Sequence, residues 1–250
     1  MRLKTITCSG ANEHTDVGEL LKLMESFPEM EVGVQVSGKK ASLGSPRYWW
    51  LSRLHNALAE SWTSFVEADR AKVALHLNQD WVEAFCAGTV PPEVNDWLKM
   101  NIDDRPFISR VQLNFKIGRE KKPNAMVLIE TVKRYPNQRF ILSYNDANAA
   151  FINELHDKYH MKFDCLFDNS FGEGIAPEKR QLPVFDDVFQ GYAGGLSPEN
   201  VASELKAIAA MIPEDREIFI DAEGKLKGED KRFSIEKCWQ FLENAHHWEL

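Results

Sequence analysis

The sequence predicts a single α/β domain, residues 1–250, in which eight parallel strands alternate with helices and close into a (β/α)8 barrel. Three observations predict it. Apolar runs of strand length alternate with amphipathic runs of helical spacing along the whole chain, the pattern of βα units that build a parallel sheet. A length of 250 residues suits one such barrel. The rival architecture, a doubly wound open sheet, normally carries a glycine-rich nucleotide turn after its first strand, and Cys8-Ser9-Gly10-Ala11-Asn12 is not that turn.

Taken in order, the strands centre on residues 3–8, 32–36, 71–77, 109–113, 139–143, 165–167, 187–189 and 217–220. The first helix, 16–27, carries Val17, Leu20, Leu21 and Met24 at helical spacing. A helix over 146–159 starts at Asp146 as N-cap and carries Ala150, Phe151 and Leu155 on its apolar side. After the seventh strand, Ser197 is expected to cap a helix with Pro198 in its first position, where no N–H donor is needed. Ser234 caps the last helix, whose apolar stripe is Ile235, Cys238, Trp239 and Leu242. Closing the sheet removes both of its edges. Two connections are enlarged, 38–46 after the second strand and 171–183 after the sixth. Both belong to the C-terminal face, where barrels of this kind place their chemistry.

Composition narrows the partners. The formal net charge is -8 and the isoelectric point about 5.5, against a sequence-blind grip on nucleic acid, which needs a basic surface. A small anion is compatible, because one pocket can be positive on an acidic protein. No apolar run approaches membrane-span length, and Met1-Arg2-Leu3-Lys4 lacks the apolar core of a signal peptide, so the expected setting is the cytoplasm. Cys8, Cys86, Cys165 and Cys238 form no C-x-x-C pair, and the seven histidines form no metal-ligand spacing. Neither a metal nor an organic cofactor is expected. The oligomeric state is left open.

Chemistry is expected at the strand ends. Gly194-Gly195-Leu196-Ser197 follows the seventh strand, where two glycines let a backbone come close to an anion at a helix N-terminus. Gly224 follows the eighth, and these two loops form the usual phosphate site of the fold. Glu223, beside it, must turn away from a phosphate. Cys8 ends the first strand and Asp168 the sixth; a thiolate can take a proton and a carboxylic acid can give one. Taken singly, Cys8 also reads as a buried small side chain and Asp168 as a loop or cap residue. Arg47, in Ser45-Pro46-Arg47-Tyr48, suits a carboxylate, and it reads equally as half of a surface ion pair.

These segments resemble the phosphoribosylanthranilate isomerase family. Ile6-Thr7-Cys8-Ser9-Gly10 is similar to the family's K-I-C-G-I-T, and Ser45 to Tyr48 to its S-P-R-Y. Residues 73–78 and 111–114 resemble its third and fourth strands, with Asn114 in place of a histidine. Phe167-Asp168 with Gly172-Glu173-Gly174 resembles the acid-bearing sixth strand and its loop, and 193–201 its A-G-G-L-x-P-x-N-V. The resemblance implies a cofactor-independent Amadori isomerisation of a phosphorylated ribosylamine, a step of tryptophan synthesis. It implies Cys8 as base, Asp168 as acid, Arg47, Asn78 and Asn114 as substrate contacts, and Gly194, Gly195 and Gly224 as phosphate binders. Thr7 replaces the family lysine, and Asp221-Ala222-Glu223 replaces a serine-rich turn. These departures leave two alternatives: a diverged paralogue acting on another phosphosugar, and a catalytically silent phosphate-binding barrel.

Overall fold

A computed structural model describes residues 1–61, 72–118, 122–168 and 180–246. Ala71, Trp62, Gly172-Glu173-Gly174 and most of the 171–183 connection lie outside the described residues. The strands are Arg2–Ser9, Met30–Val36, Lys72–Leu77, Arg110–Leu113, Arg139–Tyr144, Asp164–Phe167, Gln190–Tyr192 and Glu217–Ala222, called first to eighth below. Every neighbouring pair is parallel, and the eighth strand pairs with the first, so the sheet is closed. Among the described residues, a two-stranded antiparallel ladder (Asn101–Ile102 with Arg105–Pro106) lies outside the barrel. No described helix is long and apolar enough to cross a membrane.

The period-two alternation of each strand sorts its side chains into two layers. One set faces the surrounding helices and forms the main apolar core, including Ile6, Cys8, Val32, Val34, Leu75, Val111 and Ile220. The other set fills the barrel. Ile141, Leu166, Ala193 and Phe219 make a small apolar layer there. Beneath it lies a buried charge cluster. Arg110 reaches Glu31 through two hydrogen bonds of 2.8 and 2.6 Å, Asp164 at 3.3 Å and the Thr7 hydroxyl at 3.1 Å. Arg139 closes on the other side of Asp164 at 2.5 Å. The Arg110 guanidinium also stacks 4.2 Å from the Phe219 ring centroid. Burial alone would lift the Glu31 carboxyl; the charge and hydrogen bonds of Arg110 hold it below its ordinary range instead.

Three elements depart from the sequence reading. The seventh strand begins at Gln190, beyond the expected 187–189. Arg216 donates to the carbonyls of Phe185, Asp186 and Val188, and Asp187 accepts from His156, so that segment is held as a loop. The helix expected from Asp146 begins at Ala149, because Asn148 donates to Phe115 O and Ser143 O and accepts from Ile117 N instead of leaving the turn free. Ser197 does not cap a helix: residues 198–200 form a turn, the helix is Val201–Ala209, and Asn200 precedes it. The expected cap at Ser234 is present, accepting from Lys237 N, and the first helix, Val17–Ser26, is capped by Asp16, which accepts from Glu19 N.

Candidate active site

The upper ends of the inward-facing ladder open into a cavity of about 390 Å³ at the C-terminal face, within the range of small-molecule sites. Alternation dictates its depth. His76, Gln112, Ser143 and Leu166 form the floor, and two residues further along their strands Asn78, Asn114, Asn145 and Asp168 stand above them. Lys40, Lys116 and Lys225 come from the connections that follow the second, fourth and eighth strands.

The glycine turn lines this cavity. Gly194 and Gly195 have φ of 83° and 70°, a region that side chains with a Cβ enter at a cost. The carbonyls of the turn are tied down by side chains. Arg180 donates to Ala193 O at 2.5 Å and Gly194 O at 3.0 Å, and Asn200 Nδ2 donates to Gly195 O at 2.8 Å. Arg180 is itself anchored by Glu204 at 2.8 Å. Gly224 lines the same cavity at the start of a short 3-10 turn, with open space where a Cβ would project. Glu223 turns sideways, accepting from Gln35 at 2.6 Å and Lys227 at 2.8 Å.

The structure brings Asn78, Asn114, Asp168, Gly194, Gly195 and Gly224 together around this one cavity. Asn114 donates to Asn78 Oδ1 at 3.0 Å, and Gln112 to Asn114 Oδ1 at 2.7 Å, a chain that fixes both asparagine amides. Two expected residues are elsewhere. Cys8 ends the first strand at the correct end of the barrel, but its side chain has the outward parity of Ile6. It is fully buried in the strand–helix layer beside Cys238, and desolvation holds the thiol well above its ordinary range. A thiolate facing the mouth is therefore not what position 8 offers. Arg47 is also turned away from the cavity: Nε donates to Glu13 at 2.7 Å and Nη1 to Gln35 O at 2.8 Å. It fastens the helix Pro46–Glu60 to the second strand.

Sequence reading missed Asp221. It faces inward on the eighth strand, lines the cavity, and accepts from Ser9 Oγ at 2.6 Å. Gly33 leaves room for Ser9, since a Cβ there would lie 2.2 Å from Ser9 Oγ. Burial pushes the Asp221 carboxyl up to about 7; the Ser9 hydrogen bond opposes this, and the nearby charges of Glu223, Glu31 and Asp168 add to it. A carboxyl that exchanges its proton near neutrality, in a cavity with a second carboxylate, is equipped for acid–base chemistry. His76 was missed as well. Burial lowers its pKa to about 4 against the pull of Glu31 and Glu223, so a neutral imidazole faces the cavity. The available signal was polarity by parity: Thr7, His76, Gln112 and Asp221 are polar residues each flanked by apolar neighbours in their strands, and Ser9 shares the parity of Thr7.

Fold and cavity together define a (β/α)8 barrel with a polar, acid-bearing pocket at its C-terminal mouth. Its backbone is like that of solved phosphoribosylanthranilate isomerases. The Thermotoga maritima enzyme, in a structure of mutually generated monomers of the dimer, matches at 16% identity and a TM-score of 0.56 over 98% of this chain and 100% of that one. The Thermus thermophilus enzyme matches at 15% and 0.57 over 97% and 98%. A complex of the enzyme with reduced 1-(o-carboxyphenylamino)-1-deoxyribulose 5-phosphate matches at 16% and 0.54 over 98% and 99%. No family model and no curated protein matches the sequence.

Proposed function

We propose that this protein is an isomerase of the aldose–ketose type acting on a phosphorylated sugar by proton transfer alone. The observation that carries the reading is the glycine turn with its carbonyls tied back by Arg180 and Asn200, facing a cavity that also holds Asp168 and Asp221. The amides of Gly194, Gly195 and Gly224, with Lys225 at the rim, hold the phosphate. Asn78 and Asn114 are substrate contacts, their amides oriented by the Gln112 chain.

The acid role that the sequence suggests for Asp168 passes in this proposal to Asp221, the carboxyl raised to about 7. Asp221 gives its proton to the ring oxygen as the C1–O bond breaks, leaving a protonated carbonyl or an iminium at C1. Asp168 takes the C2 proton; the C2–H electron pair becomes a C1–C2 double bond and the C1=O or C1=N pair returns to its heteroatom, giving a neutral enediol or enolamine. Asp168 then returns the proton to C1, while Asp221 recovers one from the C2 hydroxyl, which becomes the ketone. Protons balance over the cycle, and both carboxyls end as they began.

The test is turnover of phosphoribosylanthranilate, followed by loss of its fluorescence, alongside aldose 5-phosphates assayed for ketose formation. Asp168→Asn and Asp221→Asn should each lower turnover about 10²–10⁴-fold while phosphate binding persists. Wild-type protein that converts none of these substrates would overturn the proposal. A second reading takes phosphoribosylanthranilate as the natural substrate, with a place in tryptophan synthesis. The backbone likeness and Ser45 to Tyr48 favour it. It requires Arg47 to leave Glu13 and the Gln35 carbonyl.

A further inference from the structure

At the end of the first strand a buried hydroxyl touches an acid. Ser9 is turned inward, is 1% exposed, and donates from Oγ to Asp221 Oδ1 at 2.6 Å. Among the described residues Ser9 Oγ has no second hydrogen-bond partner. Its hydrogen therefore lies on the Asp221 side, since a buried O–H with no other acceptor is satisfied only there. The second strand makes the position available. Ser9 pairs with Gly33 in the ladder, and a Cβ at 33 would lie 2.2 Å from Ser9 Oγ and 3.0 Å from Ser9 Cα. A side chain at 33 would displace the hydroxyl.

The two oxygens of Asp221 are thus unequal. Oδ1 accepts from Ser9. Oδ2 makes no hydrogen bond among the described residues, and it retains surface, which opens on the cavity that Asp221 lines. We infer that Ser9 is a positioning residue for the acid: by donating to Oδ1 it keeps the transferable proton of Asp221 on Oδ2, the oxygen open to the cavity, and it steadies the carboxylate once that proton has left. The inference rests on the phosphosugar isomerase reading and adds to it the group that directs its acid.

A neutral carboxyl has one oxygen that accepts and one that donates. With the Ser9 hydrogen on Oδ1, a proton on that same oxygen would meet it head on, so the acidic hydrogen belongs on Oδ2. When Oδ2 gives its proton to the ring oxygen of the sugar, Oδ1 becomes half of a carboxylate. The 2.6 Å bond then becomes charge-assisted, a kind whose usual length is about 2.5–2.7 Å. A hydrogen bond that strengthens as the proton leaves speeds the step. The other groups around Asp221 act in the opposite sense. Glu31 on the second strand, Glu223 beyond the eighth and Asp168 at the end of the sixth bring negative charge and hold the proton on. Cys8 on the first strand is a thiol kept neutral by burial, and His76 in the same cavity is a neutral imidazole. Among the described residues Ser9 alone donates to the Asp221 carboxyl.

Two measurements on Ser9→Ala test this. In kcat/KM against pH, with phosphoribosylanthranilate or an aldose 5-phosphate that wild type converts, the basic limb reports the acid. Ser9→Ala should move that limb up by about one pH unit and lower the plateau kcat about tenfold, the worth of one hydrogen bond to an ionised group, with KM changing less than about twofold. The second measurement needs no turnover. The carbon-13 signal of the Asp221 carboxyl, recognised by its absence from Asp221→Asn, should titrate about one pH unit higher in Ser9→Ala than in wild type. Looser packing alone would admit water and move that titration down, so the direction separates a positioning role from a structural one. A titration that stays in place or falls overturns the inference, as does a raised titration with an unchanged basic limb and kcat. Wild-type protein that converts none of these substrates overturns the isomerase reading instead; the titration alone then decides whether Ser9 directs the proton of Asp221.

Discussion

Replacing Asp221 with asparagine should stabilise this protein at alkaline pH and, on the proposed mechanism, lower turnover about 10²–10⁴-fold. The carboxyl is buried and its pKa is raised from 3.8 to about 7. Because the folded-state value lies above the unfolded one, the folded protein keeps the proton over a pH range where the unfolded chain has lost it. The stability this group contributes is full below about pH 3.8 and is lost as pH rises through about 7. A separation of about three pH units corresponds to about 4 kcal/mol. Asparagine keeps an acceptor for Ser9 Oγ through its own Oδ1 and has no proton to lose. Between pH 5 and pH 8 the difference in unfolding free energy between variant and wild type should therefore move by about 3 kcal/mol in favour of the variant. Denaturant unfolding of both proteins at the two pH values measures it, and taking the difference cancels groups that do not interact with position 221. The groups that do, Glu223, Glu31 and Asp168, are present in both proteins. An unchanged difference at pH 5 and pH 8 would refute the account of Asp221 as a carboxyl held protonated by burial. Stabilisation together with loss of turnover is the pattern of a residue retained for its chemistry.

Other variants separate the remaining roles. Asp168→Asn should lower turnover about 10²–10⁴-fold with little change in sugar phosphate binding, read by steady-state kinetics beside calorimetry. Cys8→Ala should leave turnover intact and cost about 1 kcal/mol in denaturant unfolding, because the thiol packs in the strand–helix layer. Gly195→Val should abolish phosphate binding and lower stability by about 1–3 kcal/mol, since a β-branched residue is forced to a φ near 70°; calorimetry and thermal unfolding check the two effects. Arg110→Leu should destabilise by about 3–5 kcal/mol, because it leaves Glu31 and Asp164 buried with a main counter-charge missing.

The barrel was legible because it is written locally. Strand-length apolar runs, helical stripes and the cap at Ser234 need only near neighbours to be read. The seventh strand was misplaced because its start is decided by Arg216, 26 residues beyond Gln190, which holds the preceding carbonyls out of the ladder. The glycine turn was visible as a motif, whereas the bonds that hold its carbonyls come from Arg180 and Asn200. Cys8 was read from its place at a strand end without its parity; a shift of one residue selects Ser9 as the inward side chain. Arg47 was recognised by type, but its engagement with Glu13 is a tertiary fact. Asp221 was hidden most thoroughly, since its hydroxyl partner is 212 residues away and its raised pKa arises only when the barrel closes over it.

The charge cluster under the cavity also bears on how the chain folds. Thr7, Glu31, Arg110, Arg139 and Asp164 come from the first, second, fourth, fifth and sixth strands, and Phe219 of the eighth lies against the guanidinium. An assembly of the first four strands alone would hold Arg110 with Glu31 but leave it without Asp164 and without the Phe219 ring. A later assembly of the last four would leave Asp164 only the largely exposed Arg139, without Arg110. Neither half can desolvate these charges at acceptable cost until the other is in place. Closure is thereby tied to a single cooperative event, and quarter- or half-barrel intermediates, which repeated βα units could otherwise populate, are disfavoured by the same side chains that seal the bottom of the finished barrel.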